Sequence, residues 1–288
     1  MTSRPGSAAA LPALPSSIVP PVTALALAGL AALALAVTAA PAASAEQGRA
    51  DERAAAVAAR ALEALGGEQA WAGTRYLSFG FAGRRSHWWD RETGRHRVEG
   101  TSQEGERWVV LHDLDSREGE AWVDGERATG ERAAELLENA YGAWVNDTYW
   151  LLVPYKLRDP GVDLAYDREA ALDGKTYDVL ALSFAAVGLT PGDRYWVYVD
   201  RDTGLMDRWE YVLESQPADA EPTAWRWEGW QRYGAIMLAP RRVQVGGDRV
   251  LELSPIAVPE TLPESVFTSP EPVAAAGAGP GMAGGGGR

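Results

Sequence analysis

The chain has 288 residues, 46% of them apolar and 23% charged, and it contains no cysteine. That length can bury a sizeable core in one large domain or two small ones, and the lack of cysteine excludes disulfides, thiolate-held zinc, iron–sulfur clusters, thiol nucleophiles and lipid attachment through sulfur. With 40 acidic against 27 basic residues, a net charge of −13 and a pI near 4.8, the chain repels phosphate backbones and is not expected to bind nucleic acid.

The first segment reads as an address. Arg4 is the only charge before Glu46, Val22 to Ala40 is an unbroken apolar run, and Pro41-Ala42-Ala43-Ser44-Ala45 puts small residues at 43 and 45. This order predicts a secretory leader over residues 1–45, cleaved after Ala45. An uncleaved signal-anchor is the alternative, because the run is just long enough to span a bilayer. Both place the domain outside the cytoplasm, periplasmic or extracellular, with membrane contact only transient or through an uncleaved leader. Sequencing the N-terminus of secreted protein should give Glu46; an intact Met1 on membrane-bound protein would mean an anchor.

Asp51 to Leu65 reads as a helix, with Val57, Ala58, Ala61, Leu62 and Leu65 on one face, Asp51 as N-cap and Gly66-Gly67 as the stop. After Trp71 the period changes to two, with Leu77, Phe79 and Phe81 on one face, and turn signals follow at Asp90–Gly94, Glu104-Gly105, Arg117–Gly119 and Asp124-Gly125. Asp90-Arg-Glu-Thr-Gly94 nearly repeats in Asp200-Arg-Asp-Thr-Gly204, which predicts shared hairpin chemistry: Asp opens the turn and Gly supplies a positive φ. Glu131 to Trp144 reads as a second helix, and Pro154 and Pro160 are expected to keep the next segment from continuing it. Strands return over 162–166, 176–184, 193–200, 205–214, 224–230, 237–245 and 250–258. Residues 269–288, rich in Ala, Gly and Pro, are excluded from the fold, leaving a domain over 46–268. The fold class expected is mainly β with two or three helices: a single curved antiparallel sheet with helices on its concave face.

Motifs for chemistry are scarce. The domain has no nucleophile elbow, zinc-protease motif, phosphate loop or dinucleotide fingerprint. The three histidines, His87, His96 and His112, are far apart in sequence, and each sits in an ordinary strand pattern, so neither a metal site nor any cofactor is expected. The hairpin Arg84 to Arg97 carries five Arg against two acids and reads as solvated Arg with Trp packed flat on its face; a docking patch is the alternative. What stands out is 12 Trp and 10 Tyr against 4 Phe, aromatics with an apolar body and a polar tip. They concentrate in Trp144–Lys156 and in Trp196, Trp225, Trp227 and Trp230, as a cavity lining or as the sheet's own core.

The order of parts, and in particular Trp144-Val-Asn-Asp-Thr-Tyr-Trp150, Val153-Pro-Tyr-Lys-Leu157, Asp159-Pro-Gly161, Leu182-Ser-Phe184 and Val187-Gly-Leu-Thr-Pro-Gly-Asp193, resembles the LolA/LolB superfamily of periplasmic carriers. More closely it resembles an uncharacterised LolA-like family often labelled outer-membrane lipoprotein-sorting proteins. The resemblance covers most of Leu62–Phe267. It implies a half-open β-barrel whose helices close an apolar cavity, and a role in shielding acyl chains between membranes.

The function expected is therefore that of an exported, non-catalytic, monomeric binding protein for a hydrophobic small molecule or acyl chain, lipoproteins included. Trp144, Tyr149, Trp150, Tyr155, Trp196, Tyr198, Trp225 and Trp227 would line the cavity, and Asn146, Asp147 and Lys156 would form a structural polar motif. Helices rich in small residues (Ala54, Ala58, Ala61, Ala133, Ala140) opposite large indoles would leave room for a ligand or sit very close. The alternatives are a secreted enzyme built on Asp147, Tyr149 and Lys156, and an envelope scaffolding module with a filled core.

Overall fold

Asp51 does what its position predicts: its side chain accepts from Ala54 N at 2.7 Å and starts α1 (Glu52–Ala64), which buries Ala54, Val57, Ala58 and Ala61. The computed structural model describes residues 51–184, 190, 192–217 and 219–273; the leader, the end of the tail and much of Val187–Asp193 lie outside them. All the described residues belong to one compact unit. Gly66-Gly67 ends α1 but also starts α2 (Gly67–Gly73), a short helix the sequence pattern did not announce.

The strands follow as β1 (Tyr76–Phe81), β2 (Arg85–Asp90), β3 (Arg95–Thr101), β4 (Arg107–Asp113), β5 (Gly119–Val123) and β6 (Glu126–Arg127). Helix α3 (Gly130–Lys156) comes next. Beyond it lie β7 (Val162–Leu172), β8 (Lys175–Phe184), β9 (Arg194–Asp200), β10 (Met206–Val212), β11 (Thr223–Glu228), β12 (Gln231–Tyr233), β13 (Ile236–Leu238), β14 (Arg241–Gln244), β15 (Val250–Glu252), β16 (Ile256–Ala257) and α4 (Ser265–Thr268). They form two seven-stranded antiparallel sheets, ordered β16-β1-β2-β3-β4-β5-β6 and β15-β14-β11-β10-β9-β8-β7, with β12-β13 as a separate hairpin. The single sheet expected from the sequence is thus divided. The division falls in the last segment: β15 belongs to one sheet and β16 to the other, and only isolated bonds such as Ala82 N to Glu252 O (2.8 Å) tie β1 to the second sheet. The two repeated turns share their geometry. Gly94 N and Gly204 N donate to the carbonyls of Asp90 and Asp200 at 3.0 and 2.9 Å, and both glycines have φ of 74°.

The second correction concerns α3. It runs 27 residues, straight through Pro154. Proline lacks the N–H that would bond the carbonyl four residues back, here that of Trp150. Arg242 replaces it: Nε and Nη2 donate to Trp150 O at 3.1 and 2.6 Å, and Nη1 donates to Ala239 O at 2.8 Å. Arg242 is fully buried, with its guanidinium 3.4 Å from the centre of the Trp227 ring. A side chain from β14, distant in sequence, therefore permits a helix that local sequence argues against. The C-terminal end of α3 is held further by Tyr155, whose hydroxyl lies 3.0 and 2.8 Å from the carbonyls of Leu65 and Met237 and whose ring stacks on Trp71.

The faces covered by α1 and α3 carry the main core, with Leu77 and Phe79 of β1, Leu180 and Leu182 of β8, Val197 and Val199 of β9, and Trp209, Trp225 and Trp227. The N-terminal half of α3 rests on a separate small cluster: Leu136 and Ala140 against Val98, Val110 and Ala121.

The Arg-rich hairpin is the third correction, because most of its arginines are engaged rather than solvated. Arg97 is fully buried and donates to the carbonyls of Val266, Ser269 and Glu271, strapping the C-terminal segment across β3. That strap packs Val266 and Phe267 on Tyr76 and Trp88, and it runs past the boundary at 268 expected from composition. Arg91 donates to the carbonyls of Trp71 and Thr74, and Arg95 pairs with Asp90 and Glu264.

Candidate functional site

Helix α3 carries two groups of side chains to the sheets, one aromatic and one polar. The aromatic group starts at Tyr149 and Trp150. Trp150 stands edge-on to Trp209 (4.8 Å between centroids) and to Trp225 (5.2 Å). Tyr149 meets Phe184 at 5.9 Å and Tyr195 at 5.7 Å, and Tyr195 stacks on Trp209. Trp209 continues to Trp227 and Trp227 to Trp230, whose indole donates to Met206 O at 3.1 Å. Strand register explains the layer: Trp209 pairs directly with Trp225 and Val197, and Tyr211 with Tyr195, so all face α3 together. Tyr195 Oη donates to Asp193 at 3.0 Å. By contrast Tyr149 Oη, Trp209 Nε1 and Trp227 Nε1 are buried and have no hydrogen-bond partner among the described residues. Burial pushes the Tyr149 phenol up, with Asp159 and Asp193 adding to it, so the group stays a neutral donor.

Of the eight aromatics expected to line one cavity, Tyr149, Trp150, Trp225 and Trp227 meet in this layer. Tyr155 lies on the same core but against Trp71, and Trp144 sits edge-on to Trp89 at 5.3 Å. Trp196 and Tyr198 do not join them. They occupy the opposite face of β9, in a cluster with Tyr177 and Val179. Strand alternation separates them from Val197 and Val199; taking the indole-bearing face of β9 as the inner one was the error. Trp209 and Tyr211 were missed, although their period-two spacing was visible in 205–214, and so was Tyr195, two residues before Val197 on the inner face of β9.

The polar group is centred on Asp147, which is fully buried. Arg85 of β2 grips it with two hydrogen bonds, Nε at 2.5 Å and Nη2 at 2.6 Å, and Asn146 donates to it at 2.8 Å. His87 Nε2 lies 2.8 Å from Asp147 Oδ2, the oxygen that also accepts from Arg85 Nε. From there a row crosses three strands: His87 Nδ1 to His96 Nε2 at 3.0 Å, and His96 Nδ1 to His112 Nε2 at 2.6 Å. All three histidines of the chain are in it. Their exposures are 0%, 1% and 5%. Burial alone would raise the Asp147 carboxyl, but Arg85 and His87 outweigh it and hold it below the ordinary carboxylate range. An ionised Asp147 accepts from His87 Nε2–H, which makes His87 Nδ1 an acceptor; the same logic repeats along the row. Every imidazole is then neutral and protonated at Nε2, and the row ends at His112 Nδ1, a buried acceptor with no partner among the described residues. The ring nitrogens pair with one another instead of converging on a point, and among the described residues no group of three or more His, Asp or Glu could hold a metal ion.

Lys156 is not part of this set: it pairs with Asp159 at 3.4 Å. The acid–base grouping of Asp147, Tyr149 and Lys156 is therefore not assembled. Replacing Asp147 by Asn should cost about 2 kcal/mol in denaturant unfolding, since the half-buried Arg85 then loses its buried counter-ion. An unchanged midpoint would show that Asp147 is not structural.

No family model matches the chain, and no curated protein matches it. Solved structures do. A DUF1329 family protein from Desulfovibrio piger is 14% identical, with a TM-score of 0.43 over 75% of this chain and 98% of the other. A LolA superfamily protein from Nitrosomonas europaea is 14% identical, with a TM-score of 0.37 over 74% and 96%. A domain described as an outer membrane lipoprotein-sorting protein, from Vibrio parahaemolyticus, is 9% identical, with a TM-score of 0.37 over 69% and 93%.

Proposed function

We propose that the chain is an exported, non-catalytic binding protein for an amphiphile with an acyl chain or similar apolar body, taken up at the aromatic layer of β8–β11. The observation that carries this reading is the set of polar tips inside that layer. Buried donors in a core are ordinarily paired; here Tyr149 Oη, Trp209 Nε1 and Trp227 Nε1 have no partner among the described residues and stand together, whereas the unpartnered indoles of Trp88, Trp89 and Trp144 lie outside the layer. Donors set in an apolar wall suit a ligand that brings one or two acceptor oxygens on an apolar chain, such as an ester or carboxylate head on an acyl tail. Apolar burial at roughly 25 cal/mol per Å² would supply the affinity, and the donors would set the orientation. The secretory leader expected from the sequence of residues 1–45 is in keeping with export. An acylated protein is one form such a ligand can take, and lipoprotein sorting is the corresponding cellular role.

A spin-labelled fatty acid tests this. It should quench the Trp fluorescence, raise the melting temperature with ligand concentration, and appear as a stoichiometric adduct in native mass spectrometry of protein purified without detergent. Trp209→Phe should weaken binding about tenfold by removing one donor. Absence of both quenching and adduct would overturn the reading in favour of a filled scaffold.

A further inference from the structure

The histidine row lies where an apolar core would be simpler. It crosses β2–β4, where β3 and β4 carry Val98 and Val110 of the small cluster, and it meets α3 at Asp147. Leu136 and Ala140 are the only buried residues of α3 before Asp147. Beyond Asp147 the helix is anchored by Leu151, Leu152 and Val153 and by the bonds of Arg242 and Tyr155 to backbone. One end of α3 is therefore pinned, while the other rests on Leu136, Leu137 and Ala140, on the edge contact of Trp144 with Trp89, on the exposed Tyr141–Arg117 bond and on the ion-paired Asp147.

We propose that Asp147 and the row His87–His96–His112 form a proton-operated latch, which seats the N-terminal half of α3 on β2–β4 at neutral pH and releases it in mild acid.

The argument is one of proton counting. In the closed state each imidazole donates through Nε2 to the next group, so the row carries no net proton and Asp147 is balanced by Arg85. The charged groups about the row are Asp147 from α3 and Arg85 on β2 at one end and, at the other, Asp113 beside His112 on β4, with Arg95 of β3, Glu118 just before β5 and Glu120 of β5 lining the same hollow as His96 and His112. From β1 the row meets the Phe79 ring, stacked on His87 at 4.6 Å, which offers no charge. On His96 an added proton would sit between two other imidazoles; on His87 it would share Asp147 with Arg85, and at His112 Asp113 only partly offsets burial. If α3 lifts, the histidines become hydrated and regain an ordinary affinity for protons. Acid thus favours the lifted state, by up to about elevenfold for each hydrated histidine at pH 5.5. Asp147 is the coupling point, since its bonds to Arg85 and His87 must part before the helix can rise. Lifting as far as Asp147 uncovers Tyr149, the end of the aromatic layer. For the amphiphile proposed above, that opening would set the pH of release; this consequence rests on that reading, whereas the latch does not.

Hydrogen exchange on the ligand-free protein tests the latch. Amides of residues 136–148 should lose tenfold or more of their protection between pH 7.5 and 5.5, after correction for the intrinsic rate, while those of β8–β11 keep theirs. His96→Gln and His112→Gln should each flatten this pH dependence, whatever they do to protection at pH 7.5. Equal protection of residues 136–148 at both pH values in the wild-type chain would overturn the proposal, as would an unchanged slope in both variants. The spin-labelled fatty acid provides a separate arm. If it binds at pH 7.5 and leaves at pH 5.5, latch and site are linked; if it never binds but the exchange result holds, only the ligand reading fails.

Discussion

Lowering the pH from 7.5 to 5.5 should cost the domain up to about 4 kcal/mol of stability, well before its carboxylates titrate. The three histidines are the reason. Burial lowers His87 against the pull of Asp147; it lowers His96 further, together with its two imidazole neighbours; and it takes His112 down to about 4. In the unfolded chain each titrates near the ordinary value of about 6.5. The unfolded state therefore takes up protons that the folded state refuses, and stability falls as the pH drops below about 6.5 and on towards 4. One unit below 6.5, each unprotonated histidine contributes about 1.4 kcal/mol to this loss. For a domain of this size the melting temperature should fall by roughly 10 °C. Urea unfolding at half-unit steps of pH measures the slope directly. A flat midpoint down to pH 5.5 would mean that the folded row already carries its protons.

Arg242→Ala should destabilise the fold by about 4 kcal/mol. The change strips the Trp150 and Ala239 carbonyls of their donor, leaves a space beside Trp227, and removes the cation from the ring face. The dependence on Pro154 makes the prediction sharp. Pro154→Ala restores the N–H that the Trp150 carbonyl lacks, so in that background Arg242→Ala should cost about 1–2 kcal/mol less. Strict additivity of the two substitutions would show that Arg242 acts through packing alone and not through the orphaned carbonyl.

These two features also mark where sequence reading stopped. The capping of α1, the repeated Asp–Gly turns and the strand-rich second half were legible because each depends on residues within a few positions. The aromatic layer was half legible. Period-two spacing placed Trp225 with Trp227, but which face of β9 looks inward is decided by the pairing of Val197 with Trp209 and Leu180, a long-range fact. The row of histidines had one local signal. His96 and His112 stand equidistant from Glu104 in the predicted Glu104-Gly105 turn, so a simple hairpin pairs them, as the register shows. The extension to His87 and Asp147 needs the diagonal across β2 and the seat of α3, which no spacing rule supplies. The continuation of α3 through Pro154 was illegible for the same reason: its remedy is Arg242, on a strand far along the chain.

The place where the two sheets meet has a consequence for how the chain matures. Strand β1, the first to be synthesised, pairs on one side with β2 and on the other with β16, through Phe79 with Ile256 and Ser78 with Ala257. Helix α1 likewise bonds forward, Leu65 accepting from Met237 N. The earliest elements therefore finish their contacts with the latest ones. Such long-range pairing makes folding slow, and it leaves the edge of β1 unpaired until the last segment arrives. A nascent chain cut short before Ser254 would keep that edge open, and its Leu77–Phe81 strand would be free to pair with another chain. Forms of the chain that lack this last segment should thus stay loose, with β1 as their open edge.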